Sequence, residues 1–379
     1  MKIKKIGSFF FMLSIVNSNC LLLAKDITFI PSLGITGRYD DNIFFTPDFK
    51  VEDYILIVSP ALEFGYETER GAIDSKVKFD FWGYAEETDL NTTNVKGHIE
   101  GLYNIKERWR INGFMDVIKD TTLQSQLSET GQSGFLQDRF RLDAAGGLRY
   151  GLTAISNLGI DYRYTNVEFE DRSRNDYEVH QVSLPLEYHL ETQTDFLSIT
   201  PNYQYLESDT STVDNIRLLL RWTHLFSKPF RMSMEIGPRY TKEDFKKSDE
   251  TDKSPGITAD INFVKRGEIS RTKFQYRRDL RRSTDGRLLE VDRFVLDYDR
   301  QLAYRFGAGI LGRLIFNRDE IKLTGGDNVY FDLRPSLFYN LTENHLLRLT
   351  YSYQHNYDRD EDERSERNRI WLTLQFNFP

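Results

Sequence analysis

The segment from Arg369 to Pro379 constrains the fold more than any other stretch of the chain. Ile370, Leu372, Leu374, Phe376 and Phe378 fall on one side of an extended strand, and Arg369, Trp371, Thr373, Gln375 and Asn377 fall on the other. Strand side chains alternate with a period of two, so one face is continuously apolar and the opposite face is largely polar. An apolar outward face, a polar inward face and a terminus rich in aromatics read as a transmembrane β-strand. Such a strand cannot stand alone in lipid, because its backbone N–H and C=O groups find no water there. It needs a partner on each edge, and the chain supplies them by repeating the pattern.

From Pro31 onward the alternation recurs in segments of roughly 10 to 15 residues, near the length that crosses a bilayer at a tilt. Val77, Phe79 and Phe81 interleave with Lys76, Lys78 and Asp80; Phe140, Leu142 and Ala144 interleave with Arg139, Arg141 and Asp143. Phe230, Met232, Met234 and Ile236 do the same with Arg231, Ser233 and Glu235. The stretch holding Phe274 and Tyr276 is a weaker example. No helical period competes with these runs. The pattern predicts an all-β fold, a transmembrane antiparallel up-and-down β-barrel of about 18 strands, with about 16 the nearest alternative.

Composition agrees once the period is known. A mean hydropathy of -0.53 and 28% charged residues suggest a water-soluble protein. A barrel gives the same values, since only every second residue of a strand must be apolar. Beyond the N-terminal segment no apolar run reaches the about 18 residues of a spanning helix, which excludes a helical membrane protein. Connections alternate as well. Glu69 to Gly71, Lys106 to Arg108, Ser227 to Pro229, Lys265 to Gly267 and Thr342 to Asn344 read as short turns. Asp40 to Asp53, Thr121 to Gly134, Glu168 to Asp176, Glu243 to Ser254 and Asn356 to Glu366 read as long polar loops. Short turns on one rim and long loops on the other are the asymmetry of outer-membrane barrels.

Residues 1–24 read as a secretory signal peptide: a basic start with Lys2, Lys4 and Lys5, an apolar core from Ile6 to Val16, and a cleavage site after Ala24. The one cysteine, Cys20, lies inside it, so the mature chain is expected to hold neither disulfide nor thiolate metal site. Residues 25–379 are expected to form a single outer-membrane β-barrel domain.

Two stretches carry a family resemblance. Ser32 to Phe45, with Tyr39, Asp40, Asp41 and Asn42 at the end of a first strand, and Tyr54 to Pro60, with Ser59 and Pro60 in a second, resemble the opening of the putative β-barrel porin 2 group. The resemblance implies an outer-membrane location in a Gram-negative-type bacterium and an association with exopolysaccharide production and export. It implies polysaccharide export components as partners, beside outer-membrane lipid, lipopolysaccharide and the barrel assembly machinery. It supplies no catalytic residues.

If the apolar residues face lipid, a basic wall faces the lumen: Arg139, Arg141, Arg149, Arg217, Arg221, Arg231, Arg239, Arg271, Lys273, Arg277, Arg313, Arg334 and Arg348. It would attract anionic solutes. Alternatively, these cations pair with Asp80, Asp143, Glu235, Asp297 and Asp332 and brace the barrel, the reading favoured by the carboxylates interleaved on the same face. The six histidines lack metal-ligand spacing. His180 with Ser183, and His224 with Ser198, are the pairs that could imitate a hydrolase, and chance placement explains both better. An excess of acids over bases, 58 to 50, argues against nucleic-acid binding. The expectation is a porin-like channel without cofactor, metal or catalytic site, passing polar or anionic solutes or exporting exopolysaccharide. The alternative is a non-conducting structural or surface-interaction barrel closed by ion pairs. The loop from Thr121 to Gly134 is the expected plug.

Overall fold

A computed structural model describes residues 26–130, 137–170, 176–190, 194–248, 250–283, 288–319, 328–359 and 362–378. The expected signal segment, Cys20 and Pro379 lie outside them. The described residues form nineteen strands in one antiparallel sheet. Strand β1 (Asp26–Asp40) bonds to β2 (Asp53–Glu67) on one edge and to β19 (Glu363–Asn377) on the other, which closes the sheet. Closure leaves no open edge, the condition for a sheet surrounded by hydrocarbon.

The wall has 18 staves, because β8 (Tyr177–Ser183) and β9 (Leu186–His189) share one. Both pair with β7 (Ser156–Phe169) on one side and β10 (Asp195–Ser208) on the other. Pro185 separates them because it has no N–H to donate, while its carbonyl still accepts from the Gly159 N–H at 2.8 Å.

Ile370 and Leu372 of the last strand and Phe378 just past its end are exposed on the outer face, as are Ile216, Leu218 and Leu220 of β11 (Ser211–Ser227). Outside a barrel this exposure is contact with lipid. Two segments expected as loops are largely strand. β12 (Phe230–Phe245) and β13 (Thr251–Arg266) pair up to Asp244 opposite Thr251, and β18 (His345–Asp358) pairs with β19 up to Asp358 opposite Glu363. Above the membrane both faces meet water, so the apolar alternation vanishes while the backbone ladder continues.

One hairpin leaves the wall. β13 pairs with β14 (Ser270–Arg282) only from Arg266 opposite Arg271 to Ala259 opposite Arg278. Beyond that point β14 bonds only to β15 (Leu288–Gln301). The upper part of the hairpin turns into the lumen, where Leu280 and Leu288 pack with Leu206, Val213, Tyr177 and Val179 on the inner surface of β8, β10 and β11.

Candidate functional site: a partitioned lumen

Three pieces of chain fill the upper lumen and meet in an apolar cluster. The first is helix α1 (Thr122–Glu129), within the expected plug loop, of which residues 131–134 lie outside the described residues. The second is the loop after β1. The third is the inturned β14–β15 hairpin. Leu123 and Leu127 of α1, Phe45 of the loop, and Leu289 and Val291 of β15 are buried against Ile315 of β16 (Phe306–Asp319) and Tyr330 of β17 (Asn328–Asn340). Burying apolar side chains inside a polar-lined barrel gives these segments their hold, about 1.5–3 kcal/mol for each large one.

The motif behind the family resemblance performs this insertion. Asn42 is fully buried; its Nδ2 donates to the carbonyls of Thr46 at 2.8 Å and Glu366 at 3.0 Å, and its Oδ1 accepts from the Thr46 N–H at 3.1 Å. Asp41 accepts from the Asn368 N–H at 2.6 Å and from its Nδ2 at 2.8 Å, which fastens the closing seam. Phe45 takes a left-handed backbone with φ 54°, a conformation costly for a bulky residue. Its ring is repaid by burial, edge-on to Tyr330 at 6.3 Å and beneath the Arg367 guanidinium at 4.8 Å.

Ion pairs tie the hairpin across the lumen. Arg217 reaches Asp279 at 3.3 Å, Arg239 reaches Glu290 at 3.2 Å, and Arg282 donates to Thr210 and Ser211 hydroxyls at 2.9 Å each. Gly256 stands opposite Arg239, and a Cβ there would lie 2.4 Å from its Nη2, so glycine makes room for the guanidinium to reach Glu290. Helix α1 is held through Glu129, which accepts from Arg139 at 3.3 Å and Arg141 at 3.2 Å. Burial works against the Glu129 carboxylate, yet Arg139, Arg141 and Arg281 together hold it below the usual range.

Of the expected basic wall, Arg149 pairs with Asp161 at 2.6 Å and Glu187 at 3.3 Å, Arg221 with Glu235 at 2.7 Å and Arg277 with Asp260 at 2.6 Å. Arg334 and Arg313 share Asp332 at 2.6 and 3.5 Å, and Arg348 lies 3.6 Å from Asp299. Arg231, Arg271 and Lys273 have no ion pair among the described residues. Asp143 binds Arg141 and Arg163, while Asp80 binds Lys78 instead of an arginine. The two histidine–serine pairs are not assembled. His180 bonds Tyr162 at 2.7 Å and His224 bonds Asp195 at 2.7 Å, and strand parity puts each histidine on the face opposite its serine.

Two cavities lie beside the partition among the described residues. One, of about 500 Å³, lies between the hairpin and the wall from β6 (Asp138–Gly151) to β13 and is lined by ion pairs such as Arg149–Asp161 and Arg277–Asp260. The other, of about 280 Å³, lies beneath α1 against β1, β17 and β19. Its cations include Arg38, Arg367 and Arg369, which the sequence reading left out of the basic wall. Their signal was available: each sits at an inward position of a strand whose neighbours alternate cleanly.

Residues 26–130 match the family model described as Putative beta-barrel porin 2. No curated protein matches the chain. Among solved structures, OccK2 (OpdF) of Pseudomonas aeruginosa aligns at a TM-score of 0.49 and 9% identity, over 94% of this chain and 98% of that one. The outer membrane channel DcaP of Acinetobacter baumannii aligns at a TM-score of 0.47 and 10% identity, over 93% of this chain and 97% of that one.

Proposed function

From the premise that this chain is a porin-like outer-membrane β-barrel whose residues 26–130 carry the beta-barrel porin 2 pattern, we propose that it is a passive channel for small polar or anionic solutes. It resides in the outer membrane of a Gram-negative-type bacterium. The observation that carries the proposal is the partitioned lumen, in which an 18-stave wall encloses charged cavities of about 500 and 280 Å³. A barrel of 16 to 18 strands is wide enough to leave an aqueous passage, and elements folded into it set its bore. Cavities of this size accommodate single solutes of drug-like or smaller dimensions. A polysaccharide in transit needs a continuous wide path, so export of a polymer would require the hairpin to leave the lumen. Arginines interleaved with carboxylates make a polar, field-rich wall that selects by charge.

The same ion pairs favour a second reading, a barrel sealed by its own network and used as a structural or interaction scaffold. Single-channel recording in planar bilayers separates the two. The channel reading expects ion-permeable steps from the purified protein, and their absence at every voltage would overturn it.

A further inference from the structure

The smaller cavity is chemically unlike the rest of the lumen. In the larger cavity most lining cations have carboxylates at ion-pairing distance, as in Arg149–Asp161 and Arg277–Asp260. Here Arg38, Arg313, Arg334, Arg367, Arg369 and Lys96 converge, and Asp40 is the one carboxylate among the lining residues. Asp332, on the inward face of β17 between Tyr330 and Arg334, is already shared by Arg334 and Arg313. Arg38, Arg367 and Arg369 make no ion pair among the described residues. Arg367 donates instead to the Gln354 amide oxygen at 2.9 and 2.6 Å, and Arg369 to the Ser352 hydroxyl at 3.4 Å. Arg38 lies between two indoles, its guanidinium carbon 4.7 Å from the Trp82 ring centre and 5.4 Å from that of Trp371.

Three buried donors remain without a protein partner: the Nε of Arg38, the Nε of Arg369 and the Nε1 of Trp82. Guanidinium groups crowded in a poorly hydrated site repel one another unless an anion compensates them. Arginine presents a planar fork of donors that matches an oxyanion. Around the guanidinium groups the surface is apolar and aromatic, with Ile43, Ile55, Trp82 and Tyr84 on the lining.

We propose that this cavity is a binding site for a small organic carboxylate with a ring-sized body, its oxyanion held by Arg38 and Arg369 and its ring against the Trp82–Tyr84 side. The proposal rests on the reading of the lumen as a solute path, and it makes the cavity the step at which an anion is selected. At about 280 Å³ the space suits a single ring with its carboxylate and excludes an oligomer.

The test is benzoate titration of the full protein in detergent, at low ionic strength, followed by calorimetry and by quenching of tryptophan fluorescence. Inorganic phosphate is the ringless comparison. Saturable benzoate binding is expected, with phosphate weaker. Charge-assisted hydrogen bonds of this kind make a loss of about tenfold or more in affinity the expected effect of R38Q and of R369Q. R38K, which keeps the charge and the fold but loses the fork, should lie between. R231Q, at a cation outside the cavity, should bind as the wild type does. No saturable binding by the wild type, equal affinity in R38Q, R38K, R369Q and R231Q, or phosphate binding as tightly as benzoate would each overturn the assignment. Binding in detergent does not require conduction. A silent barrel that binds benzoate overturns the channel reading alone, and a conducting one that does not overturns the site alone.

Discussion

Arg282 on the inturned hairpin donates to the Ser211 hydroxyl at the start of β11 at 2.9 Å, with its side chain almost fully enclosed at 1% exposure. A hydrogen bond from a charged donor contributes about 1.5–3 kcal/mol. R282A removes this bond and its companion to Thr210, so the hairpin is expected to spend more time away from β11. Single-channel recordings of R282A should show a larger mean conductance than the wild type; an unchanged step size would mean that the hairpin does not set the bore.

Phe45 is the pin of the first loop. Its removal costs the burial of a whole aromatic ring, about 3–5 kcal/mol for Phe to Ala in a packed site, while the left-handed backbone at φ 54° remains unfavourable for alanine. F45A should lower the unfolding temperature of the barrel, read by loss of heat-modifiable mobility on gels. F45G should recover part of that loss, because glycine accepts the positive φ.

Two arginines of the expected wall should behave differently. Arg231 is exposed and has no ion pair among the described residues, whereas the Arg239 side chain is enclosed and bonded to Glu290. R231E should shift reversal potentials under a salt gradient toward cation preference. R239E places two carboxylates together and should chiefly loosen the hairpin, altering conductance more than selectivity. Equal selectivity shifts in the two variants would contradict this division.

Glu129 supplies an acid-sensitive latch for α1. Its carboxylate is held below the ordinary glutamate range by Arg139, Arg141 and Arg281 despite burial. A depressed carboxylate stabilises docking at full strength above its free value and loses that contribution as the pH falls through the docked one. Below about pH 4 the helix is therefore expected to detach more often, raising conductance or its noise. E129Q should abolish that acid response while leaving recordings at neutral pH less steady.

How much of this was written in the chain is clearest at particular residues. Ile370, Leu372 and Phe378 announced their outward face, because a strand between lipid and water must alternate. Lumen parity was equally legible, yet parity says nothing about partners: whether Arg239 meets Glu290 depends on where a remote hairpin bends. The weakness of the alternation around Phe274 and Tyr276 was a faint trace of that bend. Leu289 and Val291, inward residues of β15, break the polar-inside rule, and their destination became intelligible only beside Leu123, Leu127 and Phe45.

By itself the sequence determined that the chain closes into a membrane barrel and which side of each stave meets lipid, since both follow from a local period of two and from the cost of unbonded backbone in hydrocarbon. Only the tertiary structure decided how the interior is divided. Which cations are covered and which are left to face one another depends on contacts between residues hundreds of positions apart, as between Phe45 of the inserted loop and Arg367. No local pattern encodes a distance across a lumen.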